Sequence, residues 1–293
     1  MKSANKQSKP DAAPRSDNRT ILQKFAAAPH IFWSVLFIII PLIFVAYYAF
    51  TKDVNGKFIP TLENVAAFFT PAYLTVFGRS VKLALIATVI SLLIGYPMAY
   101  CMSRTKPKTQ KILVMLIMLP MWMNFLIRTY AWMVILMNNG ILNGILSGIG
   151  LPTVRIIGTE AAVVIGMVYD FLPYMIIPIY SVMTKLDYRL VEAAGDLGCN
   201  AFGVWRKVIL PLSMPGVISG ITMVFVPCIS TFYISQKLGN GKFYLIGDAI
   251  ETQFLSNNLH LAAALSLVLM IILLVGMFIM NKFSDKSEGG LMI

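Results

Sequence analysis

Six long apolar stretches alternate with polar segments along this chain, at residues 31–50, 83–102, 112–136, 161–183, 208–235 and 261–281. Each is long enough for a helix to cross a hydrocarbon core of about 30 Å at about 1.5 Å per residue. Charged residues inside these stretches are limited to Arg128 and Asp170. Helices of a soluble bundle would each carry a charged face, so the pattern predicts an all-α membrane protein with six transmembrane helices. Prolines sit inside several of them, at Pro41, Pro97, Pro120, Pro173, Pro178 and Pro227, and predict bends rather than straight rods. Small polar residues next to the last of these, Ser230 and Thr231, fit either a discontinuous helix that forms a gate or a packing kink.

Composition agrees with this reading: 58% of the 293 residues are hydrophobic and 13% are charged, against roughly 45–50% and 25% in soluble domains. The 28–283 region is therefore read as one six-helix transmembrane domain, with a disordered leader over 1–27 and a short tail over 284–293. The leader is too polar, and too long before the first apolar stretch, for a cleaved secretory signal. Charge sets the orientation. With the amino end inside, the inner segments hold sixteen Lys and Arg and the outer segments five, which predicts both termini in the cytoplasm. The net charge of +11 thus reads as membrane topology, and no nucleic-acid partner is expected. Cys101, Cys199 and Cys228 offer no external disulfide, and His30 and His260 are too isolated for a metal site.

Polar groups inside a span must face protein or a wet path. Asp170 in MVYDFLPYMIIPIY (167–180) and Arg128 in LIRTYAW (126–132) are therefore either an internal ion pair or part of a route for a cation. Farther along, Asp248 and Glu251 lie three apart and read as a solvated helical face. Arg79 and Lys82, at the expected start of the second span, read as anchors that reach the headgroups.

The segment 184–210 differs from every other loop. Leu186, Leu190, Ala193, Ala194 and Leu197 recur at spacings of three and four, so a short amphipathic helix fits. Gly198 then allows a turn, and a second helix runs from Ala201 toward Pro211. A helix, a glycine turn and a second helix joined to a span make a rigid knob that can transmit force.

At these residues the chain resembles the inner-membrane permease subunits of ATP-binding-cassette importers. Their cytoplasmic loop carries Glu-Ala-Ala, three residues, Gly, nine residues and Ile-x-Leu-Pro. Here the fixed points are Glu192, Ala193, Ala194 and Gly198, then Val208, Ile209, Leu210 and Pro211, with Val in place of Ile. The resemblance implies the type I importer permease fold, a multi-pass place in a bacterial inner membrane, and docking of Glu192, Ala193, Ala194 and Gly198 against an ATPase dimer. The chain has no GxxxxGK[ST] of its own, so it is not expected to be an enzyme, and ATP with Mg belongs to the partner ATPase.

Further stretches, including VEAAGDLGCNAF (191–202), ILPLSMPGVISG (209–220) and FYISQKLGNGKFYLIGDAIETQFL (232–255), resemble the spermidine/putrescine branch of that family. That likeness implies a second homologous permease and an external polyamine-binding protein as partners. A polyamine is a flexible multivalent cation suited to aromatic faces and carboxylates, which makes Trp132, Tyr169, Asp170 and Tyr233 candidates for the translocation path. The alternatives are an importer of another solute (thiamine, iron, phosphonate or an amino acid) and, outside the family, an ion-driven carrier or channel.

Overall fold

Prolines decide the local shape of the spans. The computed structural model describes residues 29–54, 57–187 and 189–289; the leader over 1–27 and the end of the expected tail lie outside the described residues. Residues 1–47 and 48–293 form two compact units. The described part of the first belongs to helix α1, Pro29–Ala49, which is interrupted by a wide π turn over Val35–Ile39 where the Ile40 N–H reaches back to the Val35 carbonyl. A proline follows directly at 41. Proline has no N–H to give and crowds the carbonyl four residues back, so the wider turn relieves the clash. The same device recurs in the second unit, where a π turn over Trp205–Ile209 precedes Pro211 and Leu210 N–H reaches the Trp205 carbonyl.

The second unit opens with an antiparallel pair, β1 (Thr51–Val54) and β2 (Lys57–Pro60), with Thr51 opposite Pro60. The following helices are α2 (Glu63–Ala67), α3 (Pro71–Ser103), α4 (Pro107–Trp122), α5 (Phe125–Leu136), α6 (Ile141–Gly148) and α7 (Glu160–Met183). Then come α8 (Arg189–Asp196), α9 (Ala201–Ser230), α10 (Tyr233–Leu238), α11 (Ile246–Leu255) and α12 (Leu259–Gly289). Pro71 and Pro107 open their helices at the first turn, where a missing N–H goes unnoticed. Six helical segments among the described residues are long and apolar enough to cross a membrane: Pro29–Ala49, Pro71–Ser103, Phe125–Gly148, Glu160–Met183, Ala201–Ser230 and Leu259–Met280.

Three long helices, α3, α7 and α9, make the core. They meet through small residues, because backbones can approach only where side chains are absent. A Cβ on Gly95 of α3 would stand 3.0 Å from Met175 of α7. One on Gly220 of α9 would stand 2.8 Å from the Met175 sulfur, and one on Gly216 would stand 2.9 Å from the Pro178 carbonyl oxygen. Ala84, Ala87, Met175, Ile176, Ile179 and Val224 are fully buried among these helices, and the Tyr96 and Ser213 hydroxyls hydrogen-bond at 3.0 Å across the α3–α9 contact.

Several expected boundaries move. The third stretch, expected as one helix over 112–136, is two. Met123 and Asn124 are extended, and the Asn124 side chain caps α5 by accepting from Leu126 N–H at 2.8 Å. An asparagine competes well for a helix start, and Pro120 weakens the turn before it. The fifth stretch ends at Ser230, not 235: Thr231 is extended and α10 starts afresh at Tyr233. The helix is therefore broken at Thr231, and the apolar run to 235 belongs to two helices. The second span begins at Pro71, eight residues ahead of Arg79. Arg79 and Lys82 are not headgroup anchors alone, because both face Glu160 of α7, with Lys82 at 2.6 Å. The last helix continues to Gly289, through most of the segment expected as a tail.

Candidate functional site

The knob between α7 and α9 is built as the sequence predicts, and its turn has a clear cause. Helix α8 ends in a Schellman motif: Cys199 N–H reaches the Ala194 carbonyl at 3.1 Å and Gly198 N–H reaches the Gly195 carbonyl at 2.9 Å. Gly198 holds the left-handed conformation this motif needs, with φ of +81°. Asn200 then caps α9, accepting from Gly203 N–H at 2.7 Å. The apolar stripe of α8 does not all turn inward. Ala194 is buried, but Leu190, Ala193 and Glu192 are exposed and Leu197 is 86% exposed, with Phe202 beside it at 65%. Such a cluster of exposed apolar side chains on a rigid element marks an interaction surface.

A second site forms where the two broken spans meet. Phe125, directly after the Asn124 break, lies 6.0 Å from Tyr233, which directly follows the Thr231 break. Discontinuous helices at membrane depth collect binding groups, since irregular backbone is tolerated only where it faces protein or a wet cavity. Arg128 of α5 and Asp170 of α7 are both buried and stand 3.4 Å apart, Nε to Oδ1. Neither of these two atoms, nor Arg128 Nη1, makes a hydrogen bond. The pair neutralises two costly charges while leaving polar capacity unused. The Arg128 guanidinium also lies 5.9 Å from the Phe125 ring.

All four residues expected on the path lie around this junction. Trp132 and Tyr169 meet edge to face at 5.2 Å, Asp170 follows Tyr169 on α7, and Tyr233 packs against Phe125 and, at 6.1 Å, Tyr130. Sequence reasoning missed Phe125 and Lys237 here: the Lys237 ammonium lies 5.2 Å from the Tyr130 ring and 5.5 Å from that of Tyr233. The available signal was the spacing of Tyr233 and Lys237, four apart on one short helix.

From Asp170 a single face of α7 leads toward a cavity. Asp170, Tyr174, Ile177 and Ser181 share that face at about 100° per residue. The last three line a cavity of about 460 Å³ with Met121, Ser219 and Met223 from the neighbouring elements. Its walls carry no charge, and none of the four expected path residues reaches it.

Asp248 corrects the reading of a solvated face. It is 1% exposed at the start of α11, accepting from Ser235 Oγ at 2.9 Å and from Leu245 N–H at 2.7 Å. Burial pushes its carboxyl up to about 6. Ile246 N–H is met by Ser80 Oγ at 2.8 Å, so this buried polar cluster pins α10 and α11 onto α3. Glu251 instead accepts a hydrogen bond from Gln236.

Comparison with known proteins places this geometry. A family profile described as "Binding-protein-dependent transport system inner membrane component" matches residues 91–288. The spermidine/putrescine transport system permease protein PotB of Haemophilus influenzae is 42% identical over 274 residues, covering 90% of this chain and 96% of that protein. The protein of the same name from Escherichia coli is 37% identical over 247 residues, covering 82% and 90%. Among solved structures, a chain of a bacterial ABC transporter involved in the import of alginate superposes with a TM-score of 0.70 at 17% identity, covering 92% of this chain and 96% of that one. That likeness confirms the permease fold. With six candidate spans, a knob on the loop between the fourth and fifth, and near full-length relatives, this chain belongs to the inner-membrane components of binding-protein-dependent transport systems, the multi-pass permease subunits of ABC importers.

Proposed function

We propose that this chain is one of two permeases of an ATP-driven importer for spermidine or putrescine. Hydrolysis of ATP lies in a separate ATPase subunit. The observation that carries the cargo assignment is the 42% identity, over 90% of the chain, to a spermidine/putrescine permease. Aromatic rings and one carboxylate at the junction of two broken spans are suited to a flexible polycation, which supports the same reading.

The knob is the element that receives the ATPase. Glu192, Ala193 and Gly198 form its docking surface, with Ala194 buried beneath it, on the cytoplasmic side, the side that carries sixteen of the Lys and Arg residues against five outside. Small Ala193 allows close approach, exposed Leu197 and Phe202 supply apolar area, and the glycine turn keeps the surface rigid. The remaining partners are a second homologous permease, which closes the path, and an external polyamine-binding protein that delivers the solute. Trp132, Tyr169, Asp170 and Tyr233 face the solute as it passes; Asp170 becomes available when its pairing with Arg128 loosens between the outward-facing and inward-facing states.

Uptake of labelled spermidine and putrescine tests the cargo, in cells that lack their own polyamine importers and express this chain with its partner subunits. Saturable uptake that unlabelled polyamines block is expected; uptake blocked only by an unrelated solute overturns the assignment. Glu192→Ala tests the knob: coupled uptake and copurification of the ATPase should fall together while membrane insertion stays intact. Normal values for both would remove the docking role.

A further inference from the structure

The two tyrosines beside Lys237 do more than line a path. Tyr130 of α5 and Tyr233 of α10 stand edge to face at 6.1 Å, and the Lys237 ammonium lies 5.2 Å from one ring centre and 5.5 Å from the other. Both distances fall within the reach of about 6 Å at which a cation is drawn to an aromatic face. No carboxylate pairs with Lys237 among the described residues; Glu251 of the neighbouring α11 is engaged by Gln236 instead. Lys237 is half-buried and Tyr130 is 43% exposed, so the rings are open on one side.

A lysine side chain is a primary ammonium on a flexible four-carbon stem. Its end is chemically an alkylammonium, the group that terminates an aliphatic polyamine. We propose that Tyr130 and Tyr233 form an exchangeable site for a primary alkylammonium ion, with the Lys237 side chain as the tethered resident that an incoming ammonium displaces. A cation held by two rings and the Tyr130 hydroxyl, at a partly exposed place and with no carboxylate among the described residues, is held weakly, which is what an exchange site needs. Buried Arg128 on the far side of Phe125 is not exchangeable in this way, because its charge is matched by Asp170. The resident lysine thus raises the concentration of free amine required to enter, and keeps the site filled when no solute is present. The identity of the incoming ion rests on the polyamine reading; the existence of the ammonium site does not.

Two measurements on the complete importer separate these points. In saturation-transfer NMR with n-butylammonium as the probe, the purified Lys237→Met complex should give a signal, the wild-type complex a much weaker one, and Lys237→Met/Tyr130→Leu/Tyr233→Leu none. Equal signals in all three, or none in any, overturn the site. In uptake assays, Lys237→Met should lower the KM for spermidine by about 3-fold to 10-fold, the range expected for removing a weak competing cation–π contact, and n-butylamine should then inhibit. An unchanged KM and unchanged insensitivity to n-butylamine, with normal copurification of the partners, overturn the proposed exchange. If the expected NMR pattern appears while the wild-type importer moves no polyamine, the ammonium site stands and the cargo assignment falls.

Discussion

At the knob, apolar side chains point outward: Leu197 is 86% exposed and Phe202 65%. At the junction of the broken spans, charges point inward, with Arg128 and Asp170 almost wholly buried and facing each other. The knob inverts the ordinary rule for a surface, whereas the junction follows the rule for charges inside a membrane. The knob's turn is closed by its own hydrogen bonds from Cys199, Gly198 and Gly203 N–H, while its apolar side chains stay exposed. The junction has its charges balanced within the chain, yet three buried polar atoms still lack hydrogen bonds. On the function proposed above, the first is met from outside by the ATPase and the second is rearranged from within.

Breaking the junction should have the largest effect. Arg128→Ala or Asp170→Ala leaves a buried charge alone, and removing one partner of such a pair costs about 3–5 kcal/mol. Thermal unfolding of the purified chain should show this loss, and Arg128→Met/Asp170→Leu should recover most of it. Single variants within about 1 kcal/mol of wild type would mean that the pair is solvated and contributes little.

Acidity gives the next largest effect, through Asp248. Below its usual value of 3.8 the carboxyl is protonated in both folded and unfolded chains. Between there and about 6 the folded chain keeps a proton that the unfolded chain has released. Stability should therefore fall as pH rises through this window, by up to about 3 kcal/mol, and level off above it. Unfolding followed from pH 4 to pH 7 should lose this slope in Asp248→Asn; a slope of the same size in that variant assigns it to another group.

The knob sharpens the contrast from its own side. Leu197→Asp should weaken ATPase copurification about 10-fold, equivalent to about 1.4 kcal/mol, with the stability of the chain itself nearly unchanged, since an exposed substitution moves stability by about 0.5 kcal/mol or less. A large loss of stability would show that the leucine packs inward after all. A comparable effect belongs to Gly198→Ala, which forces a Cβ into the left-handed region at a cost of about 1–2 kcal/mol shared between the knob and any docked partner. Hydrogen exchange of the Cys199 amide, the terminal donor of the Schellman motif, should quicken in this variant and not in Gly195→Ala.

The two regions were not equally legible in the sequence. The knob is local: its helix period, its glycine and its capping asparagine act within about four residues, and every one can be read along the chain. The Arg128–Asp170 pairing could be posed from composition, but not decided, since the residues are 42 apart in sequence and meet only through α5 and α7. The break at Asn124 hid inside an apolar run because capping by one side chain leaves hydropathy almost untouched. Asp248 misled for a related reason. Its spacing from Glu251 looks like a solvated face, yet a carboxylate three residues after a helix start can turn back to the backbone, as it does at Leu245.

The glycine notches between α7 and α9 carry a mechanical consequence. Helix α9 runs from the second half of the knob to the broken end at Ser230, and at Gly216 and Gly220 it comes so close to α7 that an added Cβ would stand 2.9 Å from the Pro178 carbonyl oxygen or 2.8 Å from the Met175 sulfur. It is held like a beam on a pivot. About 22 Å of helix lies between Ala201 and the first notch and about 15 Å between the second notch and Ser230, at about 1.5 Å per residue. Any pivoting about these two contacts would carry the knob end and the Ser230 end in opposite directions, the knob end the farther, because the close approach sits where two side chains are missing.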